Sequence, residues 1–329
     1  MKKNYLIPSL LSLGIFLPSS AIAATFSSIY GFGDSLSDRG NINQLVSEAT
    51  GGNQTFPPSP PYAEGRFSNG PIWGELLAQR LNIPLIDLAF GGATTGSENT
   101  LDTTLPGLPL LGLQQQIANF ALNNPTADPT ALYTIWMGAN DYLPTNSIGF
   151  SPYSTDTIPL RNIENAVNTL VGLGAKEIMI LNLPNLGEVP LTNASLDGNC
   201  PVNNQFDADC LNNLTRSHNQ GLSSLFSSLP VDVNIIQVDV NTLLNNIITN
   251  PAQFGLTNVT EGCLDLNFIP CDNPEQYLFW DSTHPTTRVH ELIANQALES
   301  LVIPEANTIA GSIALGLIGV GWFVKNKSQ

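Results

Sequence analysis

Ile29-Tyr30-Gly31-Phe32-Gly33-Asp34-Ser35-Leu36-Ser37-Asp38 is the stretch on which the reading of this chain turns. Residues 29–32 form a short apolar run of the kind that fills a buried strand. Gly33 then permits a tight turn that exposes the side chains after it, Ser35 among them. A serine so placed can be a nucleophile or the N-cap of a following helix. Asp38, three residues on, would complete a capping-box-like pair in the second case.

Further runs of the same kind follow at 85–89, 132–137, 177–183 and 233–238. They are nearly all apolar, as parallel strands covered on both faces are. Between them lie segments with helical spacing. Residues 71–81 put Ile72, Leu76, Leu77 and Leu81 on one face, and 158–173 does the same with Ile163, Val167 and Leu170. Residues 211–229 form a longer amphipathic run, and 286–301 a last helix. Strand and helix alternating through one domain predict an α/β fold with a doubly wound parallel sheet. Ligands of such sheets bind beyond the carboxyl ends of the strands.

The two ends of the 329-residue chain stand apart from this pattern. Lys2 and Lys3, an apolar core over 6–17 and the small-residue site Ala21-Ile22-Ala23 describe an export signal over residues 1–24. An uncleaved anchor is the alternative, although the apolar core is short and Pro8 and Pro18 interrupt it. At the other end Ile303-Pro304-Glu305-Ala306 precedes an apolar segment, 309–324, and then Lys325 and Lys327. A plain C-terminal anchor has this pattern. Four of the eleven basic residues and one of the 27 acidic residues lie in the ends, leaving seven against 26 in the body, residues 25–302. A body this acidic repels phosphate backbones, so nucleic acid is excluded as a partner, and anionic lipid surfaces repel it too.

Four cysteines, Cys200, Cys210, Cys263 and Cys271, lie in the body, and disulfides are expected in an exported chain. Nearness in sequence favours Cys200–Cys210 and Cys263–Cys271. A zinc site is the alternative, but no CxxC pair or neighbouring histidine supports it. The proline-rich segment 55–63 and the segment 100–113, rich in leucine, proline and glycine, read as surface loops that could shape a cleft. The polar segment 193–209 reads as a loop closed by a disulfide.

Chemistry gathers in few places. Of three histidines, His218 and His290 sit inside helical patterns as surface or packing residues, and His284 sits in a loop before Pro285. Asp281, three residues earlier, is within reach of its imidazole across a turn, where a carboxylate fixes the tautomer and stabilises the imidazolium. Asp281 as a turn cap and His284 as an ordinary loop residue is the plain alternative. Acyl transfer also needs donors for a developing oxyanion. Gly91-Gly92 and Asn140 offer them after the second and third strands, although a tight turn and an Asx-turn account for the same residues.

Taken in order, Phe32-Gly33-Asp34-Ser35-Leu36-Ser37-Asp38, Gly91-Gly92-Ala93-Thr94, Gly138-Ala139-Asn140-Asp141 and Asp281-x-x-His284-Pro285 resemble the blocks of the GDSL or SGNH hydrolases. Gly65-Arg66-Phe67-Ser68-Asn69-Gly70 and Leu181-Asn182-Leu183-Pro184-Asn185-Leu186-Gly187 are smaller matches, and the resemblance runs from Tyr30 to about residue 301. It implies Ser35 as nucleophile, His284 as general base and then acid, and Asp281 as its orienting carboxylate. It further implies an oxyanion hole from the Ser35 and Gly92 backbone N–H groups and the Asn140 side chain. A flavodoxin-like sheet of strand order 2-1-3-4-5 goes with it, and no metal or organic cofactor. Asp34 would support the turn. Arg39 departs from the small or uncharged residue expected there and could alter the cleft entrance.

The tail is similar to the PEP-CTERM sorting signal of exported bacterial proteins, with Ala306 where a second proline is usual. That similarity implies processing by an exosortase-type enzyme, transient membrane association and delivery to the cell envelope or outside it. The expectation is an exported serine esterase or lipase acting on small-molecule, lipid or acetylated-polysaccharide esters. Acyl transfer on the same site, a polysaccharide acetylesterase and a non-catalytic matrix binder are the competing readings.

Overall fold

A computed structural model describes residues 26–193, 207–225 and 232–301. The expected export signal, the C-terminal tail and most of the polar 193–209 loop lie outside the described residues. So does Cys200, and with it the Cys200–Cys210 pairing.

Five strands form one parallel sheet: β1 (Ile29–Gly33), β2 (Leu85–Asp87), β3 (Leu132–Trp136), β4 (Glu177–Leu181) and β5 (Asn234–Val238), in the order β2-β1-β3-β4-β5. This is the expected order. The strand alternation explains why helices cover both faces. Ile29, Leu132, Trp136, Met179 and Leu181 point into one apolar layer with Trp73 and Leu77 of α2 (Trp73–Leu81) and Val289 and Ile293 of α7 (Thr287–Leu301). Phe32, Tyr133, Ile135, Ile178 and Ile180 point into the other, with Ile117 and Phe120 of α3 (Leu113–Asn123) and Ile163, Val167 and Leu170 of α4 (Thr157–Leu173). Helix α5 (Ala208–Leu225) completes the set that the helical spacing indicates.

Three helices were not expected: α1 (Asn41–Thr50), α3 and α6 (Val240–Thr249). α1 bears on Ser35 directly. It begins at Asn41, with Gly40 as its N-cap, so Ser35 is not a helix cap. Asp38 takes that duty instead, its carboxylate accepting the N–H groups of Gly40, Asn41 and Ile42 at 2.7, 2.6 and 3.2 Å. The 100–113 segment also differs from a simple surface loop, because Leu113 is buried and starts α3.

A second, two-stranded sheet pairs β6 (Asn258–Gly262) with β7 (Tyr277–Phe279). Cys263 and Cys271 are joined by a disulfide immediately after β6. Asp281 and His284 follow β7. At Gly262 the two pieces of chain meet so closely that a Cβ would lie 2.6 Å from the Asp281 carbonyl oxygen. Only glycine leaves that space, so this residue sets how near the Asp281 turn can come.

Candidate active site

β1 lies between β2 and β3, so the segments that leave their carboxyl ends converge. Beyond β2 the Leu88 and Phe90 N–H groups still donate to the carbonyls of Gly31 and Gly33. This carries Gly91-Gly92 alongside Ser35. Side chains then lock the segments together. Asp38 Oδ2 accepts the Gly91 N–H at 2.8 Å. Asn140 Nδ2 donates to the Ala93 carbonyl at 3.0 Å. Asp141, fully buried, accepts from the Thr95 N–H at 2.9 Å and the Thr95 hydroxyl at 2.6 Å. A neutral hydrogen bond contributes about 0.5–1.5 kcal/mol and one to an ionised carboxylate more, so these buried ties together fix the loops firmly.

Ser35, His284 and Asp281, 249 and three residues apart along the chain, form one hydrogen-bonded line. Ser35 Oγ is 2.8 Å from His284 Nε2, and His284 Nδ1 is 2.7 Å from Asp281 Oδ2. An ionised carboxylate only accepts, so Nδ1 carries the proton and Nε2 presents its lone pair to the Ser35 hydroxyl. That is the arrangement in which histidine can take a proton from serine. Asp281 Oδ1 meanwhile accepts the Thr283 and His284 N–H groups at 2.8 and 2.7 Å. The carboxylate is thus held from both ends.

Electrostatics follow from these partners. Burial works against ionising Asp281, but the charge of His284 and the bonds from His284 and Tyr62 outweigh it and hold its pKa below the ordinary value. Burial likewise works against the His284 imidazolium, and the Asp281 carboxylate outweighs it, so the His284 pKa lies above the ordinary 6.5. Asp34 is buried beside the serine. Its Oδ1 accepts the Leu36 N–H at 3.0 Å and its Oδ2 has no partner among the described residues. Burial pushes its carboxyl up to about 6. Its turn-supporting role is plain from the Ser37 and Asp38 N–H groups that the Asp34 carbonyl accepts.

The three residues expected to supply oxyanion donors lie in the same cleft. Ser35, Gly92 and Asn140 all line one cleft with His284. The backbone N–H groups of Ser35 and Gly92 have no hydrogen-bond partner among the described residues. Asn140 spends one amide hydrogen on Ala93 and keeps the second. Gly92 has φ +74°, a conformation glycine adopts without strain. His218 and His290 stay apart from this site. Both are buried as packing residues, and burial pushes their pKa values down to about 4 and about 3. Arg39 does not line the cleft and sits exposed at its surface position.

Several positioning residues were not evident in the sequence. Tyr62, in the proline-rich 55–63 loop, donates its hydroxyl to Asp281 Oδ2 at 2.6 Å and packs edge-on against Trp280. The loop therefore backs the carboxylate, and contrary to the expectation from sequence none of its residues lines the cleft. Phe67 packs 5.2 Å from the His284 ring, Ser68 Oγ donates to the Pro285 carbonyl, and Asn69 accepts the Thr287 N–H. These contacts give the 65–70 motif its purpose: it holds His284 in place. Gln116, buried on α3, clamps both backbone groups of Gly33. A lone Tyr or Gln at such sequence distance carries no local signal.

Tyr62 and His284 share one oxygen of Asp281, which gives a sharp expectation. Tyr62→Phe removes the hydroxyl and keeps the ring against Trp280. The kcat/KM for a soluble ester should fall about tenfold, the equivalent of one charge-assisted hydrogen bond. Neutral His284 is the form that accepts the serine proton, so activity is lost as pH falls through its raised pKa. With one donor fewer, Asp281 holds the imidazolium more strongly, and the acid limb of the pH profile should move to higher pH. An unchanged rate with the limb unmoved would leave Tyr62 only its ring packing against Trp280.

The cleft opening at Ser35 encloses about 1050 Å³ including its mouth. Leu143, Leu186, Val189, Leu244, Ile248 and Phe279 contribute to its apolar wall. Pro184, Asn185 and Leu186 come from the 181–187 motif. Of the 100–113 segment only Thr100 and Leu101 reach it.

Comparison with known proteins places this geometry. Residues 29–297 match the family described as GDSL-like Lipase/Acylhydrolase. The chain is 28% identical over 319 residues to a phosphatidylcholine-sterol acyltransferase of Aeromonas hydrophila, covering 83% of this chain and 89% of that one. It is 27% identical to a thermolabile hemolysin of Vibrio parahaemolyticus over 83% of this chain, and spans 63% of that protein's length. A GDSL esterase/lipase of Arabidopsis thaliana is 28% identical, with 82% of this chain and 80% of that one covered. Among solved structures, a native aryl esterase of M. smegmatis aligns with TM-score 0.46 and 16% identity over 84% of this chain and 100% of that one. Since the family match takes in all five strands of the main sheet, both strands of the small one and every segment that lines up at Ser35, this chain belongs to the GDSL lipase and acylhydrolase family.

Proposed function

We propose that this serine ester hydrolase is an exported enzyme for esters with extended, lipid-like acyl chains. The observation that carries the reading is the apolar cleft that opens directly on Ser35 Oγ. An acetyl group needs no such wall, whereas each methylene buried against it contributes about 0.8 kcal/mol.

The steps follow from the hydrogen-bonded line. Ser35 Oγ attacks the ester carbonyl carbon as His284 Nε2 takes its proton. The carbonyl oxygen becomes an oxyanion facing the N–H groups of Ser35 and Gly92 and the Asn140 amide. Asp281 stabilises the imidazolium. Collapse breaks the bond to the alcohol oxygen, which leaves with the proton from Nε2, and the acyl group stays on Ser35. Water then gives its proton to Nε2 and attacks, and the acid departs as Ser35 regains its proton. No metal or organic cofactor has a part in these steps.

An acceptor alcohol in place of water would turn the second half into acyl transfer, and the similarity to a phosphatidylcholine-sterol acyltransferase favours testing it. Export rests on the charge, core and cleavage pattern of residues 1–24. The pattern of residues 303–329 supports a sorting tail, transient membrane association and exosortase-type processing at the cell envelope.

A series of p-nitrophenyl esters from acetyl upward, with acetylated xylan and an added acceptor alcohol, tests the substrate reading. The kcat/KM should rise by about fourfold for each added methylene until the wall is filled. A series that is flat, or best at acetyl with xylan deacetylated, would point to an acetylesterase instead.

A further inference from the structure

The Cys263–Cys271 disulfide closes a nine-residue loop, Cys263-Leu264-Asp265-Leu266-Asn267-Phe268-Ile269-Pro270-Cys271. Its tip is apolar and bare. Leu266 is 100% exposed, Phe268 53% and Ile269 61%. These are three of the six exposed large hydrophobics among the described residues, and they fall within four positions. Single exposed apolar side chains are ordinary, but a contiguous group marks an interaction surface.

The loop holds this group out stiffly. Asp265 Oδ1 accepts the N–H groups of Asn267 and Ile269, both at 2.8 Å, and the Asp265 carbonyl accepts the Phe268 N–H at 3.0 Å. Phe268 has φ +61°, the left-handed region that a bulky aromatic residue disfavours. Glycine or asparagine would occupy that position without strain, so the aromatic ring is kept at a cost to the loop.

The loop stands beside the candidate active site. Its base is bound to the strand leading into Asp281, with Cys263 N–H donating to the Phe279 carbonyl at 3.0 Å and Leu264 N–H to the Trp280 carbonyl at 2.7 Å. On the cleft rim, half-exposed Leu191 donates its N–H to the Ser282 carbonyl, and Asn193 Nδ2 donates to the Thr260 carbonyl of β6. The apolar tip, the rim and the Asp281–His284 turn therefore share one small scaffold.

We propose that the tip of this stapled loop is an anchor that inserts Leu266, Phe268 and Ile269 among the acyl chains of a zwitterionic phospholipid surface. It presents an aromatic and two aliphatic side chains with no groove around them, which suits a fluid apolar layer and offers a folded protein partner nothing to fit into. The net charge of −16 turns the chain from anionic surfaces towards uncharged ones. The backbone bond from Cys263 to Phe279, a residue of the cleft wall, gives insertion a purpose, since it ties the loop to the element that leads to the ester-cleaving site. The proposal rests on the lipid-ester reading of the cleft, and its test separates the two.

The full chain carrying Ser35→Ala, with and without Phe268→Trp, is mixed with phosphatidylcholine vesicles bearing or lacking brominated acyl chains. The difference between the two proteins is the emission of the added tryptophan. It should be quenched by the brominated lipid, and more weakly in vesicles rich in anionic lipid at low salt. With Ser35 intact, the triple change Leu266→Ser, Phe268→Ser and Ile269→Ser should lower the rate on phosphatidylcholine vesicles at least tenfold and leave kcat/KM on dissolved p-nitrophenyl butyrate unchanged. An added tryptophan that stays unquenched overturns the proposal, whether the protein fails to bind or binds through another segment. So does emission that depends on protein concentration without lipid, which marks a second copy covering the loop. A triple variant as fast as the parent on vesicles overturns it too. Absence of hydrolysis of every p-nitrophenyl ester defeats the lipid-ester reading instead, and leaves the quenching result to stand or fall alone.

Discussion

Replacing Ser35 by alanine is expected to lower kcat for p-nitrophenyl esters by on the order of 10⁵- to 10⁶-fold while leaving the protein folded. The size of the effect comes from the position of the hydroxyl. Ser35 Oγ is the one group in the line that His284 Nε2 can activate, at 2.8 Å. Without it His284 has only water to deprotonate, and no acyl-enzyme forms. The structural cost is small, because the side chain is half-buried at the cleft and outside both apolar layers. The melting temperature should therefore move by no more than about 2 °C. A fluorophosphonate probe should label the parent at Ser35 and fail to label the variant. Full turnover by the folded variant would remove Ser35 from the reaction, and a parent that never labels would support a protein that only binds.

Asp281→Asn is expected to cost about 10⁴-fold in kcat, one to two orders of magnitude less than the loss of Ser35. Asp281 accepts four donors, two on each oxygen: the Thr283 and His284 N–H groups on Oδ1, and His284 Nδ1 and the Tyr62 hydroxyl on Oδ2. An amide has one oxygen. If it faces the backbone donors, its NH2 faces Nδ1 and forces the imidazole proton onto Nε2, opposite Ser35. If it faces the imidazole, the NH2 group confronts two backbone N–H groups and the turn opens. Either way the base is lost or displaced. Asp281→Glu separates these routes, since it keeps two acceptor oxygens but lengthens the side chain. Steady-state kinetics with a crystal structure or proton spectra of the imidazole would show which route is taken. A variant within tenfold of the parent would remove Asp281 from its role as orienting carboxylate.

The central fold was legible because it rests on short-range pattern. The central strands β1, β3 and β4 are mostly apolar runs whose alternating side chains feed two layers, while the edge strands β2 and β5 keep enough apolar residues to be read despite Asp87, Asn234 and Gln237. What escaped notice has a physical reason in each case. α6 begins one residue after β5, with only Asp239 between them, so no loop composition marks the boundary. β6 is half exposed and polar, with neither the alternation of a half-buried strand nor the apolar run of a buried one. The Ser35, Asp281 and His284 set stood out because chemistry restricts which residue types can serve. Tyr62 and Gln116 act through a single hydroxyl and a single amide that only folding brings into range. Asp38 was read with Ser35 as a capping pair. Its carboxylate in fact accepts the first N–H groups of a helix whose N-cap is Gly40, and also ties Gly91.

The small β6–β7 pair has a wider meaning for this enzyme. The nucleophile and the three oxyanion donors stand on the main sheet, while the base and its carboxylate stand on a separate ribbon. The halves are joined by polar ties, among them the serine–histidine bond, Tyr62 to Asp281, Ser68 to Pro285, Asn69 to Thr287 and the Leu191 backbone to Ser282, and by Leu278 and Phe279 of β7, which sit in the same apolar layer as Trp73 and Leu77. Cooperative units of one protein open at different free energies, and elements that share one packed core open together. Because Leu278, Phe279, Val289 and Ile293 lie in the layer that also holds Trp73 and Trp136, the histidine and the serine part company only as that layer gives way, and loss of activity on heating should track its melting.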